Sequence, residues 1–172
     1  MQTSTSDRYS AVALDLMRRS GQRGAATRLT VTGTSMLPLL RPGDAVWLMP
    51  IEPATLRPGD LLLIRQQGVW LTHRLIAVRP PRWQTKGDNN RLADPLVTAA
   101  EIEGRIIALE RDDRSIDLRR RCWRVTSRLL GQVSRLEQRR QQMIHRESRL
   151  AFVAGAFFRL LIRAIVGVAV RF

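Results

Sequence analysis

Three kinds of reactive side chain are scarce in this sequence of 172 residues, which has one cysteine, two histidines and one lysine. Because a disulfide needs two cysteines, the lone Cys122 excludes an intramolecular disulfide, and it also excludes a zinc site built from cysteines. With only His73 and His145 available as imidazole ligands, we expect no metal site. Any general base must come from this short list of side chains.

We also expect no targeting segment at the start of the chain. Charged residues interrupt each apolar run before it reaches the length of a signal peptide, among them Asp7, Arg8 and Asp15. We therefore expect the protein to start in the cytoplasm. No internal repeat or low-complexity tract is present, and the length fits one domain with some appendage.

Acidic residues are few beside the basic ones, with 15 Asp and Glu against 29 Lys and Arg, so the formal net charge is +14. Such an excess favours partners that carry phosphate, such as nucleic acid or anionic lipid, and does not choose between them. The hydrophobic content of 44% is enough for one ordinary core.

The pattern of residues divides the chain into four segments. A short amphipathic pattern in residues 1–26 predicts an N-terminal helix. Residues 27–112 hold short β-type runs between Pro, Gly and Asp turns, which predict a mainly β core, a small antiparallel sheet or barrel. Apolar residues recur at helical spacing among arginines in residues 113–150, which predicts a basic helical extension. The predicted strands are 28-RLTVTG-33, 45-AVWLM-49, 61-LLLIR-65, 69-VWLTHRLIAV-78, 82-RWQT-85 and 104-GRIIALE-110.

The final segment, residues 151–172, is strongly apolar yet contains three arginines. A transmembrane helix needs about 20 mostly uncharged residues, and an arginine at its centre costs about 2.5–3.5 kcal/mol on the insertion scale. Because Arg159 and Arg163 share one helix face, the pattern favours an amphipathic helix that lies in the membrane interface. A helix that packs on the core is the alternative.

One stretch, 33-GTSMLPLLRPGDAVWL-48, combines a serine with turn residues in a way that suits catalysis. Gly33 allows a peptide backbone to come close, and Pro38 stiffens the turn around Ser35. A serine hydroxyl is a weak nucleophile until a base accepts its proton. His73 is the one histidine in the predicted β region, and an imidazole suits this role near neutral pH.

Four segments together resemble, in their order and spacing, the motifs of type I signal peptidases and the related S24/S26 serine peptidases. Each motif alone is weak, whereas four in the right order are specific. The resemblance covers residues 28–110, about half of the chain. It implies a signal-peptidase/LexA-like antiparallel β core, a serine endopeptidase that cuts after small side chains, and no cofactor. The four segments are 33-GTSMLPLLRPGD-44, 58-PGDLLLI-64, 72-THRLIAV-78 and 85-TKGDNNRLADP-95.

The resemblance also implies roles for individual residues. His73 stands where bacterial signal peptidases have lysine, so the chain resembles the serine–histidine branch found in the endoplasmic reticulum and in archaea. Ser35 is then the nucleophile and His73 the general base. Of the two acids that could orient the imidazole, we favour Asp94 for that role and Asp88 for structural support. The supporting positions are Gly33, Thr34, Met36 and Arg74.

The chain departs from signal peptidases at three points. The 34 residues before Ser35 contain no apolar run of the length that a transmembrane anchor needs, so we expect no anchor there. Gly33 lacks the side-chain hydroxyl that some members use, which leaves backbone N–H groups and Thr34 as donors to the oxyanion. The basic and apolar tail is additional, and it predicts peripheral membrane contact through residues 151–172 in place of the anchor.

We therefore expect a serine endopeptidase that cleaves a peptide or protein precursor, in the cytoplasm at the periphery of the membrane, without a nucleic-acid partner. One alternative is a non-catalytic basic protein that binds membrane or nucleic acid on the same fold. Another is a self-cleaving LexA-like peptidase, for which Ala154-Gly155 is the one Ala-Gly bond. Lys86 is the less favoured base because it stands outside the strand that carries His73, and we expect His145 to be solvated.

Overall fold

The structure of the chain, a computed structural model, describes residues 26–143 and the single residue Ala164. Within these residues the protein is mainly antiparallel β sheet followed by a long α-helix, which confirms the mainly β fold predicted from the sequence. The predicted N-terminal helix and the apolar segment 151–172 fall outside the described residues, apart from Ala26 and Ala164.

Eight strands form one sheet in the described part of the chain. The strands are β1 Thr27–Thr30, β2 Ala45–Met49, β3 Leu61–Gln66, β4 Val69–Arg79, β5 Arg82–Lys86, β6 Val97–Thr98, β7 Ile102–Arg111 and β8 Arg114–Asp117. Two 3₁₀ turns lie at Pro53–Thr55 and Ala99–Glu101, and helix α1 comprises Arg121–Met143.

The strands lie in the order β1-β2-β7-β3-β4-β5-β6, and β8 pairs with β7. Every pair is antiparallel. All six strands predicted from the sequence are confirmed, whereas β6 and β8 are not predicted by it. Strand β6 has two residues, too few to show alternation. Strand β8 follows a tight hairpin at Asp112 and Asp113, both of which have positive φ, as such turns require.

Apolar side chains pack into two clusters. The first lies against helix α1 and the turn that contains Ser35, and the second is built on β3, β4 and β5. The first cluster contains Leu29, Val31, Met36, Leu39, Leu40, Val46, Leu48, Leu61, Leu63, Ile106, Leu109, Leu118, Trp123 and Leu130. The second contains Leu56, Leu62, Ile64, Leu75, Trp83 and Val97.

Helix α1 approaches the turn before β3 closely enough to restrict its side chains. Gly59 in this turn has φ +103, and a Cβ atom there would lie 2.7 Å from the carbonyl carbon and oxygen of Ser127. A Cβ atom on Gly131 of α1 would in turn lie 3.0 Å from the Gly59 nitrogen. The approach at Gly59 is closer than real Cβ atoms show, and the approach at Gly131 is tighter than most of them. The helix and the turn therefore pack by backbone contact, and α1 is part of the folded core.

Candidate functional site

Strand β4 directs His73 and Arg74 to opposite faces of the sheet, because side chains alternate along a strand. Leu62 lies opposite His73 across the β3–β4 pair, and Leu61 lies opposite Arg74. His73 therefore shares its face with the second apolar cluster. Arg74 shares its face with the first cluster, on which α1 packs.

The imidazole of His73 is buried and oriented by one carboxylate. Its Nδ1 atom lies 2.7 Å from Oδ2 of Asp94, and its side chain is 3% exposed. An ionised carboxylate only accepts hydrogen bonds, so Nδ1 carries the proton and Nε2 of the neutral ring is an acceptor. Among the residues that the structure describes, Nε2 has no hydrogen-bond partner. With the Nδ1 hydrogen directed to Asp94, Nε2 is the ring nitrogen left to act as an acceptor, as the general base of a serine hydrolase requires.

Strand β5 holds Asp94 in place. The Thr85 hydroxyl donates to the same Asp94 Oδ2 at 2.7 Å, and the Asp94 amide donates to the Thr85 carbonyl oxygen at 2.9 Å. The side-chain amide of Gln84 donates to the Asp94 carbonyl oxygen. The sequence analysis does not identify Thr85 or Gln84 as part of the site, although Thr85 begins one of the four motifs.

The second acid, Asp88, contacts Arg74 and not the imidazole. The guanidinium Nε and Nη2 atoms donate to the two oxygens of Asp88 at 2.8 and 2.7 Å, and both side chains are fully buried. The third contact is from Nη1 to the Gly59 carbonyl oxygen at 3.0 Å. Such a bidentate, charge-assisted pair fixes the loop after β5 to β4, on the face opposite His73.

Ser35 lies half-buried in the turn before β2 and packs against the loop that follows β5. The Asn89 amide donates to the Ser35 carbonyl oxygen at 2.8 Å, and the Asn89 side chain donates to the Thr34 carbonyl oxygen at 3.3 Å. A Cβ atom on Gly87 would lie 2.8 Å from the same Ser35 oxygen, so this approach needs a glycine. Gly33 is buried and Thr34 is exposed.

The turn that contains Ser35 is linked to β4 through the loop after β5, which Arg74 and Asp88 fix on the face of the sheet opposite His73. Lys86, which precedes Gly87, lies opposite Arg74, the residue after His73. A hydrogen bond from Ser35 to His73 Nε2 is not formed, since that nitrogen has no described partner.

Both ends of the Ser35 turn are anchored to the core. Met36 is 1% exposed, and its sulfur lies 3.5 Å from the Asp88 amide nitrogen, which donates to it. At the far end, Arg111 donates from Nε to Asp44 at 2.8 Å and from Nη2 to the Leu39 carbonyl oxygen at 2.7 Å. The hydrogen bond with Asp44 raises the pKa of Arg111 above its usual value.

Lys86 is fully buried and is paired with helix α1. Its Nζ atom lies 2.8 Å from Oε2 of Glu137, the only acid in α1. The other oxygen of Glu137 and the hydroxyl of Ser134 are buried without a partner among the described side chains. The next residue of the helix, Gln138, accepts the Ala93 amide at 3.1 Å. The sequence analysis does not identify Glu137 as part of the site. Its position as the one acidic residue among the arginines of this helix was the feature that could have indicated a buried partner.

The remaining predictions about sites concern absences and the tail. Across residues 26–143, no group of three His, Cys, Asp or Glu side chains is arranged to hold a metal ion. In the same part of the chain, no helix is both long and apolar enough to cross a membrane. His145 lies outside the described residues.

Comparison with protein-family models and with curated proteins gives no match for this chain. Any function assigned to it therefore depends on the chemistry of its own residues.

Proposed function

We propose that the protein is a signal-peptidase-like serine endopeptidase that cleaves a peptide or protein precursor. The observation that carries this proposal is the environment of His73, whose Nδ1 contacts Asp94 while Nε2 stays buried and unpartnered among the described residues. An imidazole oriented by a carboxylate, with its second nitrogen available, is the arrangement of a general base in serine hydrolases. The resemblance of the four sequence motifs to signal peptidases supports the same proposal.

In the proposed reaction, the substrate strand pairs with a sheet edge and places its scissile carbonyl at Ser35. The Ser35 oxygen attacks this carbon while His73 Nε2 accepts the hydroxyl proton. Asp94 keeps the proton on Nδ1 and stabilises the imidazolium that forms. Backbone N–H groups of the turn, with Thr34, donate to the oxyanion. His73 then protonates the leaving amine, and water releases the acyl group by the same steps in reverse order.

Peripheral contact with a membrane is the second part of this proposal. The apolar segment 151–172 with its three arginines supports an interfacial helix, and the net charge of +14 supports attraction to anionic lipid. Contact of this kind would hold the peptidase at the surface where membrane-bound precursors are cut.

A soluble peptide library provides the first experiment, because the substrate is not needed in advance. Mass spectrometry of the products should reveal cuts after small side chains by the full-length protein. The Ser35→Ala and His73→Ala variants should each lose this activity by at least about 100-fold. Ser115→Ala, an exposed serine in β8, is the matched control and should keep full activity.

Two results would favour the other functions. If the folded wild-type protein cuts no peptide and its own mass stays constant, the fold serves binding alone. If the library is untouched but the protein itself is cut between Ala154 and Gly155, the activity is self-cleavage of the LexA type.

A further inference from the structure

A cavity of about 320 Å³ lies between the first half of helix α1 and the turn before β3. The proposed peptidase site does not include it, because Ser35, His73 and Asp94 are all absent from its lining. The charged residues that line it are mostly positive, with five arginines and one acid. They are Arg57, Arg105, Arg119, Arg124, Arg128 and Asp60.

The one acid in this cavity is already occupied by its neighbours. Asp60 accepts the Arg57 backbone amide at 2.9 Å, and the same oxygen lies 3.8 Å from Nη1 of Arg105. The Asp60 carboxylate therefore stabilises the turn at residues 57–60 and neutralises at most one guanidinium group, that of Arg105. It leaves the guanidinium groups of the other four arginines in the cavity without an ion pair to Asp60.

Three of the five guanidinium groups have no acidic partner. Arg119 is bound by the adjacent Asp117 through two contacts of 3.0 and 3.1 Å. For Arg57, Arg124 and Arg128, no ion pair is formed with any acid in the described part of the chain. Like charges that converge without compensation repel one another, and a bound anion removes that repulsion.

The fold itself brings these arginines together. Gly59 allows the main chain at Ser127 to contact the turn, so that the helix residues beside Ser127 come close to Arg57. Arg124 and Arg128 are one helical turn apart and share a face. The convergence therefore depends on backbone packing and not on the chance positions of long side chains.

Arginine clusters of this form match a particular chemistry. The planar guanidinium donates two parallel hydrogen bonds, which suits phosphate oxygens, and it is not deprotonated in proteins. A cavity of about 320 Å³ is at the small end of ligand pockets, the size for one phosphate group with its immediate substituent.

The surface of α1 beside the cavity favours lipid over nucleic acid as the source of that phosphate. Val125, Leu129 and Leu136 are 55%, 48% and 53% exposed, and each of the first two follows a cavity arginine directly in sequence. Exposed apolar side chains next to arginines are the pattern of a helix at a membrane interface. The sugar-phosphate backbone of a nucleic acid, which would supply the phosphate, presents little apolar surface to this stripe.

We propose that the arginine-lined cavity is a binding site for a phosphate ester group, in the first place the head group of an anionic lipid. Free inorganic phosphate or pyrophosphate has the same chemistry and would occupy the same residues. This site is independent of catalysis at Ser35.

The test uses the full-length protein and two double variants that each remove two positive charges from α1. Arg124→Gln/Arg128→Gln changes the cavity, whereas Arg139→Gln/Arg140→Gln changes exposed arginines outside its lining. Binding of inorganic pyrophosphate is measured by calorimetry, and binding to phosphatidylglycerol or phosphatidylcholine vesicles by co-sedimentation. Thermal unfolding confirms that each variant is folded, and Arg57→Gln replaces the cavity variant if it is not.

We expect the cavity variant to bind at least about tenfold more weakly, since it loses charge-assisted hydrogen bonds to the phosphate. The control variant should change by less than about threefold. Loss confined to pyrophosphate identifies a free phosphate as the ligand, whereas loss that includes phosphatidylglycerol vesicles identifies the lipid. A wild-type protein that binds neither probe would overturn the proposal. Equal losses in both double variants, or binding unaffected by either, would overturn the proposal.

Discussion

At the scale of single residues, the two ring nitrogens of His73 have opposite environments. One contacts Asp94 at 2.7 Å, and the other is buried without a described partner. Leaving a buried polar atom unpaired costs about 1–3 kcal/mol. In the mechanism proposed above, this nitrogen stays unpaired in the free protein because it accepts the proton of Ser35 during the reaction.

Exchange of each acid for its amide separates the roles of Asp94 and Asp88. Asp94→Asn should lower turnover by roughly 10⁴-fold, the effect of a wrong histidine tautomer in serine hydrolases, with little change in unfolding. Asp88→Asn should instead lower the free energy of unfolding by about 3–5 kcal/mol, because it leaves the buried Arg74 without a full partner. Peptide hydrolysis and urea unfolding measure the two effects. The reverse pattern would mean that the roles are exchanged.

Much of this site follows from the sequence because its residues lie within short motifs. The Asp94 contact with His73 is an example, since both residues stand in segments whose order suggests a common site. The contacts of Thr85 and Gln84 depend on the register between β5 and the loop after it, which no local pattern specifies. The partner of Lys86 lies on a helix 51 residues away in the chain, so it could only be found once α1 was placed.

At the scale of elements, helix α1 is joined to the sheet by a buried ion pair. Lys86 and Glu137 have side chains that are 0% and 2% exposed. Removing one partner of a buried pair leaves an uncompensated charge, so Lys86→Met should lower the free energy of unfolding by about 3–5 kcal/mol. Replacing both residues by methionine should recover most of this loss. Urea unfolding of the two variants measures the difference, and a double variant no more stable than the single one would contradict the pairing.

The close packing of α1 on the turn before β3 gives a second element-scale prediction. Gly59→Ala introduces a Cβ atom 2.7 Å from main-chain atoms of Ser127, whereas Gly68→Ala meets no atom within 4 Å. Both glycines have positive φ, so Gly68→Ala reports the conformational cost alone, about 1 kcal/mol. We expect Gly59→Ala to lose at least about 2 kcal/mol more in urea unfolding. Equal losses would show that α1 does not press on this turn.

The sequence predicts that α1 is a helix but does not predict which of its faces is buried. The spacing of Trp123, Leu130 and Leu136 correctly indicates a helix, but only Trp123 and Leu130 are buried. The buried face continues at Glu137, seven residues after Leu130, because Lys86 lies beneath it. The spacing of apolar residues alone would place Leu136 in the core. In the structure, the ion pair between Lys86 and Glu137 turns the neighbouring side of the helix toward the sheet, and Leu136 is exposed.

At the scale of the whole molecule, basic and apolar residues are concentrated toward the end of the sequence. Removal of the residues after Leu150 should abolish the binding to phosphatidylglycerol vesicles that survives 1 M salt, where the Debye length is about 3 Å. Binding at low salt should persist through the arginines of α1. Hydrolysis of a short soluble peptide should stay within about threefold of the full-length rate, measured in parallel. A truncated protein that fails to fold would show that the tail belongs to the core.

Covalent labelling by a serine-directed fluorophosphonate tests the pairing of Ser35 with His73 most directly, because it needs no knowledge of the substrate. Mass spectrometry of the labelled full-length protein should place the adduct on Ser35. His73→Ala should slow the reaction by at least about 100-fold, whereas the control His145→Ala should leave it unchanged. Labelling of Ser35 at the same rate with and without His73, or labelling no faster than at the exposed Ser115, would contradict the proposed peptidase.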